Sequence, residues 1–260
     1  MNNNNLLDQI RRLNRAFLRP DKQLPTLVEG AQAIAEICDS LVLIAGSDGT
    51  VLASELGEAE TESHLESLVE QGSLAGDPGL FNLIKSRESL LNEPYPGKAA
   101  QEDQPLLIVA PIASGGKPFA ALLLYRKGRP YENDHLVLAE IGATMIGMLI
   151  LQAASKQEEQ DIRNRELAEG AFESLSYSEV EAIREILKNI TNNESVVVAS
   201  KIADNLGITR SVIVNALRKF ESAGIIESRS LGMKGTFIRV KNIHALELVA
   251  SRSAKMSYLR

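Results

Sequence analysis

Arg210, Ser211 and Asn215, in the stretch "GITRSVIVNALRKF", are residue types whose spacing suits them to reading base edges. An arginine fork matches guanine O6 and N7, and an asparagine amide pairs with adenine. Ser211, Asn215, Arg218 and Ser222 recur at i, i+4, i+7 and i+11, one face of a helix, while Ile213, Ala216, Leu217 and Phe220 occupy the opposite face. That division predicts a helix seated on a core with a polar face turned outward. Arg210 and Ser211 stand in its first turn, the part that would enter a major groove, with Thr209 expected as its cap.

The elements needed to hold this helix are also legible. A short helix over about Ser200–Asn205 precedes it, and Ala203 there is small enough for a close crossing. Gly207 can supply the positive φ of the tight turn between them. Ser200, Lys201 and Lys219 suit phosphate oxygens, as do backbone N–H groups at the helix start. Beyond Gly224, "IIESRS" and "TFIRV" read as two strands around "LGMKG", a wing in which Lys234 could meet the DNA backbone or minor groove. Together these are helix-turn-helix spacings followed by a wing.

Charge supports the division. The whole chain has a formal net charge of -6, yet from Val196 onward eleven basic residues face four acidic ones, a net of +7, leaving -13 for the first 195 residues. A basic nucleic-acid-facing module joined to an acidic body of different purpose is the implication.

In that body, Leu24, Leu27, Val28, Ala31, Ile34, Ala35 and Cys38 follow helical spacing. "LVLIAGSDGTVLAS" reads as a hairpin turning at Asp48-Gly49, and "LLIVAPI" with "FAALLLYR" as a second hairpin around "ASGGK". A helix is expected around Glu62–Gln71, and a Pro/Gly loop, a natural wall for a ligand pocket, at "NEPYPGKAAQEDQP". The pattern turns helical from Glu132 to about Phe172, apolar at first and then charged; the charged part reads as a solvated connector. Structure restarts at "SLSYSEVEAI", where Ser178 and Glu181 have capping-box spacing. The expected fold is α+β: a sensor domain with an antiparallel sheet over residues 1–154, a linker helix over 155–176, and a winged helix-turn-helix domain over 177–260.

Several classes of function are disfavoured. The opening "MNNNNLLDQIRRLNRAFLR" lacks the basic start, apolar stretch and cleavage site of a secretory signal, which predicts a cytoplasmic protein. "IGATMIGMLIL" falls short of a membrane span and reads as a buried helix. The single cysteine, Cys38, permits no internal disulfide and lies on an apolar helix face. His64, His135 and His244 are scattered and suggest no metal site. No catalytic triad motif appears, and "ASGGKP" and "LGMKGT" lack P-loop spacing. The alternatives to a ligand-responsive DNA-binding regulator are a first domain that only dimerises, or one that processes nucleotides.

"SLSYSEVEAI", Ser174–Ile183, and "VASKIADNLGITRSVIVNALRKFESAGIIESRSLGMKGTFI", Val198–Ile238, closely resemble the CodY family of global transcriptional regulators of Gram-positive bacteria; "NDHLVLAEIGATMIGM", Asn133–Met148, is similar to it in lesser degree. The resemblance implies a homodimer on double-stranded DNA. Its GAF-type domain would sense branched-chain amino acids (isoleucine, leucine or valine) and often GTP, and a long helix would join it to a winged helix that mostly represses nutrient-limitation genes. Arg210 and Ser211 stand where the family's recognition helix has the same pair. The family's pocket helix typically carries an arginine for the amino acid's carboxylate and methionines, where this chain has "ESHLESL". His64, Leu65 and Leu68 would serve there, with the retained Tyr95-Pro96 pair. The family's Ser-Arg-Arg-Gly-Lys hairpin, associated with GTP, is replaced by Gly46-Ser47-Asp48-Gly49-Thr50. That exchange sets a carboxylate where a triphosphate would lie and argues against GTP.

Overall fold

Strands written as near-continuous apolar runs require cover on both faces, and the first half of the chain supplies it. The structure is a computed structural model that describes residues 3–18, 24–56, 63–96, 104–188 and 190–257. It divides into two units, Met1–Ala154 and Ser155–Arg260.

The first unit begins with α1 (Asn3–Phe17) and α2 (Leu27–Cys38), then β1 (Leu41–Gly46) and β2 (Val51–Glu55). The short helices α3 (Ser63–Glu70) and α4 (Pro78–Leu83) come next, followed by β3 (Leu90–Pro94), β4 (Leu106–Ser114), β5 (Lys117–Arg126) and the start of α5 (Asn133–Glu173). The five strands form one sheet in the order β2-β1-β5-β4-β3, and every pairing is antiparallel. Alternation splits each central strand. Val42, Ile44, Ile108, Leu122 and Leu124 join a core with α1, α2 and α5, whereas Leu43, Leu107, Val109 and Leu123 join a second core with α3 and α4.

Two readings of this half are corrected and one helix is added. The helix expected from Leu24 starts at Leu27, because Thr26 and Glu29 close a capping box there. The expected loop at Asn92 is part of edge strand β3, in which Leu90, Glu93 and Pro94 pair with β4 across an irregularity. Proline is tolerated at such an edge; Gly97–Asp103 lie outside the described residues. The capped helix α4, with Asp77 accepting from the Gly79 and Leu80 N–H groups, was not expected.

α5 contains a stretch long and apolar enough, by length and composition, to cross a membrane. Leu138, Ala139, Ala143, Ile146 and Leu149 nevertheless pack into the core beneath the sheet. The helix then runs through its charged stretch without a break.

In the second unit the helices α6 (Tyr177–Lys188), α7 (Ala199–Leu206) and α8 (Arg210–Ser222) are followed by α9 (His244–Ser257). β6 (Glu194–Val197), β7 (Ile226–Ser230) and β8 (Thr236–Val240) form a sheet in the order β6-β8-β7. The expected two-stranded wing therefore has a third strand. The segment expected as a pure linker also ends inside this core, where Ala168, Ala171 and Phe172 are buried and Phe172 meets Phe220 edge-on at 5.0 Å. The capping box of α6 sits two residues before the expected pair: Ser176 N–H donates to Glu179 Oε2 at 2.8 Å, and Glu179 N–H to Ser176 Oγ at 3.4 Å.

Candidate functional site

The two faces of α8 behave as their spacing requires. Ile213, Ala216 and Phe220 have no exposed surface and Leu217 almost none, whereas Arg210, Ser211, Asn215 and Arg218 are exposed. α7 reaches α8 through Gly207 at φ 65°, which bears the left-handed turn that L side chains rarely adopt. Thr209 occupies the cap position without capping. Its hydroxyl meets Ser211 Oγ at 2.8 Å and accepts from no backbone N–H of the first turn. Val212 N–H donates to Thr209 O at 3.1 Å, and the Arg210 and Ser211 N–H groups at the head of the helix remain for an acceptor such as a phosphate.

Ion pairing sorts the basic residues of this unit. Arg239 pairs with Glu194 at 2.6 Å and Lys241 with Glu227 at 3.3 Å. Lys219, expected at a phosphate, instead donates to Glu179 Oε2 at 2.7 Å and to Ser174 O at 3.1 Å, fastening α8 to the α5–α6 junction. Burial pushes the Glu179 carboxyl up, but the hydrogen bonds from Lys219 and Ser176 outweigh it and hold it below the usual carboxylate range. Among the described residues, Lys201, Arg210, Arg218, Arg229 and Lys234 have no carboxylate partner, and all five are exposed, as is Ser200. Arg229 escaped the sequence reading, although strand alternation in "IESRS" already placed it outward beside Glu227.

The candidate effector residues are placed less favourably. A cavity of about 10 Å³ lies between β1, β5, α3 and α4, lined by Leu43, Leu65, Leu80, Tyr95, Leu123 and Tyr125 among other residues. That volume holds about one water molecule. Leu65 and Tyr95 therefore do meet at one site, with Tyr95 edge-on to Tyr125 at 5.8 Å. Leu68 is buried in the same core without lining the cavity, and half-buried Pro96 is not part of its wall. His64 stands apart: its side chain is 55% exposed and its Nε2 lies 3.2 Å from Asp77 Oδ2, so an anion already occupies the position where an effector carboxylate was expected. Among the described residues, no cationic side chain lines the cavity. At the β1–β2 turn, the Asp48 carboxylate accepts from Thr50 N and Oγ1, both at 2.9 Å, and these bonds hold its carboxyl below the ordinary range.

Comparison with known proteins joins the two halves. The model of the CodY GAF-like domain matches residues 5–174, and that of the CodY helix-turn-helix domain matches residues 193–250. The global transcriptional regulator CodY of Caldanaerobacter subterraneus subsp. tengcongensis is 41% identical over 246 residues, covering 93% of this chain and 96% of its own. The chain belongs to the CodY family. The CodY of Lysinibacillus sphaericus is 38% identical over 258 residues, covering 96% of this chain and all of its own. Among solved structures, the cofactor-binding GAF domain of the nutrient sensor CodY from Clostridium difficile covers 58% of this chain and 99% of its own, at 24% identity and a TM-score of 0.41. As a CodY family member the chain is a transcriptional regulator with a DNA-binding helix-turn-helix domain and a GAF-like domain, and its named relatives are regulators, not enzymes.

Proposed function

We infer that this regulator binds a two-fold-related, AT-rich operator as a homodimer, acting mainly as a repressor of nutrient-limitation genes, with an affinity set by a small effector in the GAF-like domain. The observation that carries the DNA half is the segregation of charge. Five cations without carboxylate partners among the described residues, Lys201, Arg210, Arg218, Arg229 and Lys234, gather on α7, α8 and the wing, beside an outward α8 face bearing Arg210, Ser211 and Asn215. Arg210→Ala should cost about 1 to 3 kcal/mol on a duplex the protein selects and little on random duplex. Fluorescence anisotropy with both probes tests this, and an equal loss on the two would make Arg210 a phosphate contact only.

The dimer rests on α5. Val137, Ile141, Met148, Leu151 and Ile162 share one heptad seam, at separations of 4, 7, 3 and 11 residues with Thr144, Ser155 and Glu158 at the intervening positions, and all five but Ile141 are exposed. A second copy of the same helix can cover such a seam.

The effector is a branched-chain amino acid such as isoleucine, leucine or valine, because the cavity walls are aliphatic and aromatic. A benzene-sized ligand fills a cavity on the order of 150 Å³, so an effector must displace Leu65 or Tyr95 to enter. Binding is thereby tied to movement of α3 against the sheet. The carboxylate would be held by backbone N–H groups exposed by that movement, since His64 is engaged by Asp77. The ionised Asp48 turn supports a domain that does not take GTP there. A soluble regulator of DNA acts in the cytoplasm.

A further inference from the structure

The wing ends in a turn that is more tightly built than a phosphate contact requires. β7 and β8 are joined by a single 3₁₀ turn, Gly232–Lys234. Leu231 N–H donates to Gly235 O at 2.8 Å, and Lys234 N–H donates back to Leu231 O at 3.3 Å. Gly235 has a φ of 110°, and a Cβ there would stand 2.4 Å from Val197 O, so the base of the turn is pressed against β6. A turn closed in this way presents its tip in one orientation. The tip residue is Met233, 104% exposed, flanked by the exposed Leu231 and by Lys234. Arg229, one strand position behind Ser230, adds a second cation without a carboxylate partner among the described residues. A large thioether side chain held in water gains nothing in the free protein, since methionine stabilises by filling apolar space.

We propose that Met233 is an apolar wedge that enters the minor groove beside the major groove read by α8 and partly unstacks one base step there. The proposal rests on the DNA-binding reading above. Ser228 N–H and Oγ–H both donate to Glu221 Oε1 at 3.1 Å, fixing β7 to the C-terminal end of α8. Three residues of extended strand, about 10 Å, lead from Ser228 to Leu231. Neighbouring grooves lie about half of a 34 to 36 Å helical turn apart, a span of the same order. The minor groove is narrow and strongly negative, which suits an unbranched neutral side chain flanked by Lys234 and Arg229. Wedges of this kind unstack a step and kink the duplex, and TA or CA/TG steps yield most cheaply. Met233 therefore selects a deformable step at a position where no side chain hydrogen-bonds a base.

The test uses the full-length protein and a duplex that it enriches from a random-sequence library, with 2-aminopurine placed at successive positions. Wild-type protein should raise the fluorescence severalfold at one step outside the bases contacted by α8. Met233→Ala should abolish that rise and weaken binding about tenfold, Met233→Leu should restore both, and replacing the step by a stiff G·C step should weaken wild type but not Met233→Ala. Met233→Ala with wild-type fluorescence at every position would overturn the proposal. So would a change in the sedimentation of the free protein without a change in fluorescence, which would make Met233 a protein contact. Failure of the wild-type chain to enrich any sequence would overturn the DNA-binding reading itself and the wedge with it, whereas enrichment without unstacking would overturn the wedge alone.

Discussion

The two units present their working groups in opposite ways. The reader holds its site open, with Lys219, Arg239 and Lys241 paired with carboxylates while Lys201, Arg210, Arg218, Arg229 and Lys234 stand on the surface of α7, α8 and the wing. The sensor holds its site shut, with Leu65, Tyr95 and their neighbours leaving about 10 Å³. A preformed surface costs little to engage, whereas a closed cavity must exchange side-chain packing for ligand packing. Under the proposed function, an effector that enters has to change the sensor's own core, because Leu65 and Tyr95 wall the cavity.

The largest effect is expected at the seat of α8. Phe220 is fully buried and meets Phe172 of α5 edge-on, so Phe220→Ala should destabilise the second unit by about 3 to 5 kcal/mol. Calorimetry should show its transition lowered while that of the first unit stays in place. One shared shift of both transitions would mean that the two units are not independent.

Leu65→Ala sharpens the sensor side. It should cost about 2 to 4 kcal/mol by enlarging the cavity, and the space created should make effector binding tighter relative to stability, because less side chain must be displaced. Calorimetric titration with isoleucine would show this, and weaker binding in proportion to the lost stability would contradict a self-plugged cavity.

Lys219→Met separates holding from reading. Leaving Glu179 with only its Ser176 partners should cost about 1 to 2 kcal/mol, yet the salt dependence of DNA binding should be unchanged. Lys201→Ala should reduce that salt slope by about 1. A reduced slope in Lys219→Met would return Lys219 to the phosphate-binding group.

The smallest effect is a pH edge. His244 lies with Nδ1 2.8 Å from Glu247 Oε2 and Nε2 2.9 Å from Asp161 Oδ1, and Arg165 and Glu169 lie beside it. The bond to Glu247, ahead of that to Asp161, raises its pKa. A raised pKa adds stability that is fully present below the ordinary histidine value and is lost as pH rises through the folded value. His244→Gln should therefore differ from wild type in thermal melts near pH 6 and converge with it near pH 9; a difference that is constant with pH would show a packing role alone.

The reader was legible because its signals are local. Helical spacing alone separated Ile213 and Phe220 from Arg210 and Asn215, and Gly207 marked the turn. What the sequence hid depends on distant partners. β6 is four residues whose pairing to β8 spans some forty positions, and β3 is a short edge strand ending at a proline. Both "SYSE" and "SEVE" carry capping-box spacing, and the structure closes the box between Ser176 and Glu179. Lys219 reads as a surface cation until Glu179, forty residues earlier, is brought beside it. The sensor residues were named from family likeness. Leu65 and Tyr95 do face one cavity, but His64 was diverted by Asp77, a contact that spacing does not reveal.

The account turns on whether filling the closed sensor changes the open reader. The direct measurement is the affinity of the full-length protein for a duplex it selects, read by fluorescence anisotropy while isoleucine, leucine and valine are titrated in turn. The account predicts that at least one of them shifts the affinity about fivefold or more, and that the duplex shifts that amino acid's own affinity by the same factor. Affinities that stay constant through all three titrations would contradict it and leave the first unit as a dimerisation platform.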